Sequence, residues 1–268
     1  MVNTAKRVKF RLFLSIALLA FAFYVGLIGL WEWSENRDPT LEEAFPTGLM
    51  RVGIDATYPP FAVDDGQSIV GIDIDLANEL ATRMQLDVHF VTMGFDGLYD
   101  ALIDGQVDVV ISALLVNPAR TREVIYTQSY FDNGLLLVTD TRNQSTITNL
   151  PSQSLALEYG SIAHSQANTW LQTLDPFSIR PYELPQYALD AVRLEAADNA
   201  LVDTTTYLLY QSQNPDWVSS ATNITTAPYA IAIRSDRLET WVWVNTVLGN
   251  IKQDGTLDSI INNWFAMQ

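Results

Sequence analysis

The sequence predicts an α/β fold. Two observations carry that prediction. From Gly48 onward, apolar runs of strand length alternate with stretches whose apolar residues recur every three to four positions, and 48% of the chain is hydrophobic against 17% charged. Strands interleaved with helices of this size argue for a mostly parallel sheet. The roughly 230 residues that follow the N-terminal segment can bury one large core or two modest ones. Their composition excludes disorder.

Leu49–Ala56 reads as a buried strand with a carboxylate, Asp55, at its end. Gly71–Met84 spaces Ile72, Leu76, Leu80 and Met84 four apart, the stripe of one helix face, and sets Asp73 and Asp75 at its start, where the helix dipole favours acids. Residues 86–92, LDVHFVT, alternate as a second strand, with His89 an ordinary strand residue. Residues 95–105, FDGLYDALIDG, are expected as a helix stopped by Gly105, and Val107–Val116 as a third strand. The second half repeats the style. A strand at 154–161 runs into a turn before a helix at 162–172, a short strand at 178–184 precedes a helix at 185–197, and NALVD is a strand ending in Asp203. PYAIAIRS, a helix with Trp241, Val244 and Leu248 on one face, and DGTLDSIINNWF as a last helix complete the order. In such folds ligands sit beyond the C-terminal ends of strands. Asp55 and the stretch Ser112–Arg120 occupy such ends.

The N-terminal segment is different in kind. MVNTAKRVKFR sets four basic residues before Leu12–Leu30, 19 positions without a charge. As a helix that run would be about 28 Å long, close to the roughly 30 Å of hydrocarbon in a bilayer. Trp31 and Trp33 would follow at the interface. A cleavable signal peptide has a shorter apolar region ending in small residues, whereas this run ends in GLIGLWEW. Residues 1–33 are therefore expected as an uncleaved membrane anchor, with secretion after cleavage as the alternative. Either way the basic flank stays in the cytoplasm and the body is exported. Residues 34–47, polar and punctuated by prolines, are expected as a linker.

The chain carries 15 basic and 31 acidic residues, a formal charge of -16. Setting aside the five basic and two acidic groups of residues 1–37 leaves 10 against 29, a net of -19 for the body. Such a body repels a phosphate backbone, so nucleic acid is excluded as a partner. The chain has no cysteine and two histidines, His89 and His164, far apart and without metal-ligand spacing. Neither a metal site nor a thiol nucleophile is expected. No glycine-rich nucleotide motif follows any strand, and no cofactor is expected.

VGIDATYPPFAVDDGQSIVGIDIDLANELATRM and FDGLYDALIDGQVDVVISALLVNPARTREVIYTQSYFDNGLLLV resemble the first lobe of family 3 extracellular solute-binding proteins, the polar amino-acid receptors of ABC importers. LALEYGSIAHSQA, ALVDTTTYLLY and YAIAIRSDRLETWVWVNTVLGNIKQDGTLDSIINNWF resemble the rest of that family in order and spacing, so that the resemblance covers residues 48–266. It implies a periplasmic-binding-protein-like fold of type II, two α/β lobes with a hinge and a central cleft, preceded here by the N-terminal transmembrane helix. Lobe 1 would comprise residues 48–130 plus 229–268 and lobe 2 residues 134–226, joined by crossings near Tyr130–Asn133 and Ala227–Pro228. The implied partners are a small polar ligand and membrane permease subunits.

A free amino acid needs a planar cation for its carboxylate and an acid for its ammonium group. Arg120 stands twelve residues after Asp108, the spacing at which the family carries its carboxylate-binding arginine, and Asp203 stands where the family places the opposing acid. Ser161, after Gly160 at a strand-to-helix turn, suits the anion. Tyr58 and Phe95 match the family's aromatic walls, while Phe61 reads as core. The family's usual Gly and Thr or Ser are Ala113 and Leu115 here, and Leu115, if it faces inward, shrinks the pocket. Asp55 and Glu158 are the candidates for the ligand's distal group: a basic amino acid if both face the cleft, a merely polar one if they face solvent. The expected function is capture without catalysis. The alternatives are a cyclohexadienyl-dehydratase-like enzyme on the same lobes, whose dianionic substrates would want several cations in the cleft, and the ligand-sensing subunit of a signalling system.

Overall fold

The computed structural model describes residues 21, 22, 24, 38–141 and 146–266. The expected membrane segment lies outside these residues apart from Phe21, Ala22 and Tyr24, which are helical, and among the described residues no helix is long and apolar enough to cross a membrane. The chain divides into two compact units, Met1–Thr47 and Gly48–Gln268. Within the stretch expected as a linker, the first unit forms a short helix, α1 (Pro39–Ala44). Asp38 caps it by accepting the Thr40 N–H at 2.9 Å, and Pro39 opens it with a pre-set φ. Leu41, Ala44 and Phe45 are buried.

The second unit begins with β1 (Leu49–Ile54), the short strands β2 (Thr57–Tyr58), β3 (Ala62–Asp64) and β4 (Ile69–Val70), helix α2 (Ile72–Met84), β5 (Asp87–Thr92), α3 (Leu98–Ile103), β6 (Val109–Val110) and β7 (Val124–Asp132). It continues through β8 (Leu135–Asp140), β9 (Ser154–Glu158), α4 (Ile162–Trp170), β10 (Ser178–Tyr182), α5 (Pro185–Arg193), β11 (Asn199–Asp203), α6 (Thr204–Gln213) and β12 (Ser219–Asn223). Strand β13 (Pro228–Arg234) and helices α7 (Leu238–Gln253) and α8 (Thr256–Ala266) complete it.

Two five-stranded sheets result, ordered β5-β1-β6-β13-β7 and β10-β9-β11-β8-β12, beside a three-stranded antiparallel sheet of β2, β3 and β4. In each large sheet four strands run the same way and one, β13 in the first and β8 in the second, runs against them, so the sheets are mostly parallel in direction as expected, with two parallel and two antiparallel neighbour pairs in each. The antiparallel pairs β13/β7 and β8/β12 hold the strands that carry the chain across. It passes from β7 in the first sheet to β8 in the second through Asn133–Gly134, and returns from β12 to β13 through residues 224–227. The two crossings are hydrogen-bonded to each other: the Asn133 N–H donates to the Ala227 carbonyl at 3.0 Å and the Ile224 N–H to the Leu135 carbonyl at 2.8 Å. A side chain at Gly134 would overlap the Thr225 carbonyl, so only glycine allows this approach.

Burial follows the period of each element. The β1 residues Met50, Val52 and Ile54 are fully buried, as is the predicted α2 stripe of Ile72, Leu76 and Leu80 with Met84 nearly so. In the second sheet alternate residues serve opposite faces. Leu135, Leu137, Leu155, Leu157 and Leu201 join a cluster with Ala163, Ala167 and Trp170 of α4, while Leu136, Val138, Ala156, Ala200 and Val202 join one with α5. A sheet covered on both faces needs apolar residues at both phases, which explains the unbroken apolar runs. Each fully buried aliphatic side chain contributes about 1.5–3 kcal/mol.

The strand expected at Val107–Val116 is interrupted. Only Val109–Val110 pairs as β6, and Leu115 rejoins the sheet through an isolated bridge to Tyr229. The break is at Ala113, whose φ of 44° lies in the left-handed region and cannot continue a strand.

Candidate functional site

Three acids stand where the parallel strands end. Asp55 follows β1, Glu158 closes β9 and Asp203 closes β11. Two cavities open beside them, of about 350 and 580 Å³, and share Leu115 and Tyr229 as a common wall.

The smaller cavity is lined by Asp55, Tyr58, Phe95, Ser112 and Ala113 besides that wall. Asp55 is fixed by tertiary contacts. Its Oδ2 accepts the Phe95 N–H at 3.0 Å, its Oδ1 the Thr57 hydroxyl at 2.7 Å, and its own N–H donates to the Ser112 Oγ at 3.0 Å. Tyr58 stacks on Phe61, with ring centroids 5.5 Å apart, and Phe61 is fully buried, as expected of a core residue. Tyr58 and Phe95 are 43% and 47% exposed, which leaves their faces available.

The larger cavity is lined on the second sheet's side by Glu158, Ser161, Ile162 and Asp203, and at the crossings by Asn133 and Ala227. Two helices begin there. Asp203 is the N-cap of α6: its Oδ1 accepts the Thr206 N–H at 2.9 Å and its Oδ2 the Thr206 hydroxyl at 2.8 Å. Ser161 caps α4, accepting the His164 N–H at 3.2 Å while donating to the Glu158 carbonyl at 2.8 Å. Gly160, at φ 77°, makes the turn between strand and helix. The Glu158 carboxylate has no hydrogen-bond or ion-pair partner among the described residues.

Seven of the eight residues singled out from sequence line one cavity or the other: Asp55, Tyr58, Phe95 and Ala113 the smaller, Glu158, Ser161 and Asp203 the larger. Arg120 lines neither. Its guanidinium lies 4.6 Å from the ring centroid of Tyr99 and pairs with Glu123 at 3.2 Å on the surface. No lysine or arginine lines either cavity among the described residues, whereas three carboxylates do.

Sequence reasoning missed Asn133 and Tyr229. Asn133 lies at the first crossing, where its Oδ1 accepts the N–H and hydroxyl of Thr205, both at 2.8 Å, and its Nδ2 donates to the Tyr229 hydroxyl at 2.9 Å. Burial, and then the neighbouring Tyr58 hydroxyl, push the Tyr229 phenol well above the ordinary tyrosine range, so it stays neutral. Tyr229 pairs with Phe131 in the β13–β7 ladder, just before register shifts on either side of Ala230. The one sequence signal available for both was their place at the crossings.

Comparison with known proteins agrees with this architecture. The chain is 29% identical over 226 residues to the lysine/arginine/ornithine-binding periplasmic protein of Escherichia coli (strain K12), covering 81% of this chain and 87% of the relative. Among solved structures it resembles an ancestral cationic amino acid solute-binding protein, at 29% identity and a TM-score of 0.63, over 84% of this chain and 99% of that one. The unliganded, open L-cystine solute receptor of Neisseria gonorrhoeae shares the two-lobed fold at a TM-score of 0.74 and 21% identity, over 85% of this chain and 97% of that one. The sequence model of the bacterial extracellular solute-binding proteins, family 3, matches residues 50–267, which spans both sheets and both cavities, and the chain belongs to that family.

Proposed function

We propose that this protein captures a cationic amino acid between its two lobes, outside the cytoplasm, and hands it to the permease subunits of an ABC importer. The observation that carries the reading is the charge of the cavity walls: Asp55, Glu158 and Asp203 line them, and among the described residues no basic side chain does. An arginine- or lysine-like ligand offsets that charge at both of its ends. Its ammonium group meets Asp203, its carboxylate meets the start of α4 at Ser161, and its side chain runs between Tyr58 and Phe95 toward Asp55. A cation against an aromatic face adds about 0.5–2 kcal/mol. Arg120 completes the carboxylate site by turning from Glu123, since an exposed pair of that kind holds it by only about 0–1 kcal/mol. Relatives named for lysine, arginine and ornithine support the same class.

In this reading lobe 1 comprises residues 48–130 plus 229–268, lobe 2 residues 134–226, and the apolar run at 12–30 anchors the body to the membrane. Binding without catalysis is favoured over dehydratase chemistry, because a dianionic substrate would face three carboxylates.

Thermal unfolding of the protein with each standard amino acid, polyamines and organic acids tests the proposal. At a ligand concentration one hundred times Kd, binding to the native state is worth about 2.7 kcal/mol, which raises Tm by several degrees in a body of this size. Arginine or lysine should do so and glutamate should not. Stabilisation by no amino acid, or turnover of prephenate, would overturn it.

A further inference from the structure

We propose that Asp73 is a positioning residue for the ligand site, holding the turn at Ser112–Leu115 in the shape it presents to the cavities and tying that turn to the strand that crosses between the sheets. The proposal rests on the functional reading only for where its effect is felt.

Asp73 is the second residue of α2 and is fully buried, whereas Asp75 two positions on is exposed. Its oxygens are divided between two partners. Oδ2 accepts the Ala113 N–H at 2.8 Å and Oδ1 accepts the Tyr130 hydroxyl at 2.7 Å; that hydroxyl also lies 3.0 Å from the Ala113 nitrogen. Among the described residues no lysine or arginine pairs with it. A buried acid without a cation opposes folding, and burial raises its pKa to about 7 against the pull of those two hydrogen bonds. Helix α2 does not need it, since an acid at this position would serve the dipole as well from the surface.

Asp73 does supply an acceptor for Ala113. That residue's left-handed backbone is disfavoured for any non-glycine residue, and its N–H points into the protein, where it must find a partner. Released from Asp73, the apolar run ISALLV would extend as a strand, and a change of phase would turn its side chains to opposite faces. Two of them matter to the site: Ser112, which receives the Asp55 N–H, and Leu115, which lines both cavities. On its other side Asp73 holds Tyr130, three residues before Asn133 in the strand that crosses to the second sheet.

Calorimetric titration of L-arginine into the protein and its Asp73→Asn variant tests this. Asparagine can still accept from Tyr130, but its amide then opposes the Ala113 N–H. The loss of one buried hydrogen bond predicts about tenfold weaker binding. The same substitution in an Ala113→Gly background should cost about twofold, because glycine adopts the left-handed conformation without help. Full affinity in Asp73→Asn, or equal losses in both backgrounds, overturns the proposal. If Asp73→Asn does not fold, Tyr130→Phe removes only a hydroxyl, and full affinity there overturns it as well. Hydrogen exchange of the ligand-free protein provides a readout independent of any ligand. Residues 112–116 should exchange about tenfold faster in Asp73→Asn, and unchanged exchange overturns the proposal even if no amino acid binds and the functional reading itself fails.

Discussion

Asp55 stands one residue past β1 and Asp203 closes β11, equivalent places in two sheets of the same strand pattern, yet they are held by different means. Asp203 is fixed by Thr206, three residues on, as the cap of its own helix. Asp55 is fixed by Phe95 and Ser112, 40 and 57 residues away. The first half of the site is thus a tertiary assembly, in which Ala113 and Asp73 set where Ser112 sits, and the second half is built from local helix starts. Substitutions should propagate in the first half and stay local in the second.

Arg120 belongs to neither half as it stands, and it tests the comparison most severely. Arg120→Ala should leave the ligand-free Tm within a degree or so, since the exposed Glu123 pair contributes about 0–1 kcal/mol. It should weaken arginine binding more than a hundredfold, because it removes a bidentate, charge-assisted contact to the carboxylate. Glu123→Ala should bind normally. Retained affinity in Arg120→Ala would confine ligand recognition to the residues that line the cavities now.

The second half can be sharpened by separating charge from capping. Asparagine caps a helix as well as aspartate does, so Asp203→Asn should keep its stability and lose about thirtyfold in affinity, the worth of one charged hydrogen bond. Glu158, which caps nothing, should lose about tenfold as Glu158→Gln, and only for ligands with a cationic side chain. An equal loss for neutral and cationic ligands would place Glu158 at the α-carbon end instead. Isothermal titration with arginine and glutamine distinguishes the two outcomes.

What the residues revealed in advance tracks this local and tertiary division. The α2 stripe, the β1 strand and the three strand-end acids were legible because period and strand position are properties of short segments. Ser161 was legible at its strand-to-helix turn for the same reason. Asp73 was not, since it and Asp75 are the same residue type in the same helix start, and only the approach of Ala113 and Tyr130 decides which is buried. The break at Ala113 was hidden inside an unbroken apolar run that reads as strand. Tyr229 and Asn133 were hidden because their role comes from two crossings 90 residues apart in sequence meeting side by side, as the Leu135 N–H bonded to the Thr225 hydroxyl shows. Helix α1 was missed because two prolines and four acids outweighed Leu41, Ala44 and Phe45 in a short window.

The smallest predicted effect follows from the buried acid of the first half. Burial raises the Asp73 carboxyl from 3.8 to about 7, so between those values the folded state keeps a proton that the unfolded chain releases. Its contribution to stability is therefore fully present below pH 3.8 and is lost as pH rises toward about 7. Asp254, held near 2 by Arg83, adds slope only at the lower end of that window and almost none above about pH 5, where it is ionised in both states. Ligand-free Tm should thus fall by a few degrees between pH 5 and pH 8. Asp73→Asn, with no proton to lose, should flatten that part of the fall. Parallel curves for the native protein and Asp73→Asn would mean that Asp73 is ionised across the whole range, so that the Ala113 and Tyr130 hydrogen bonds alone outweigh the cost of its burial.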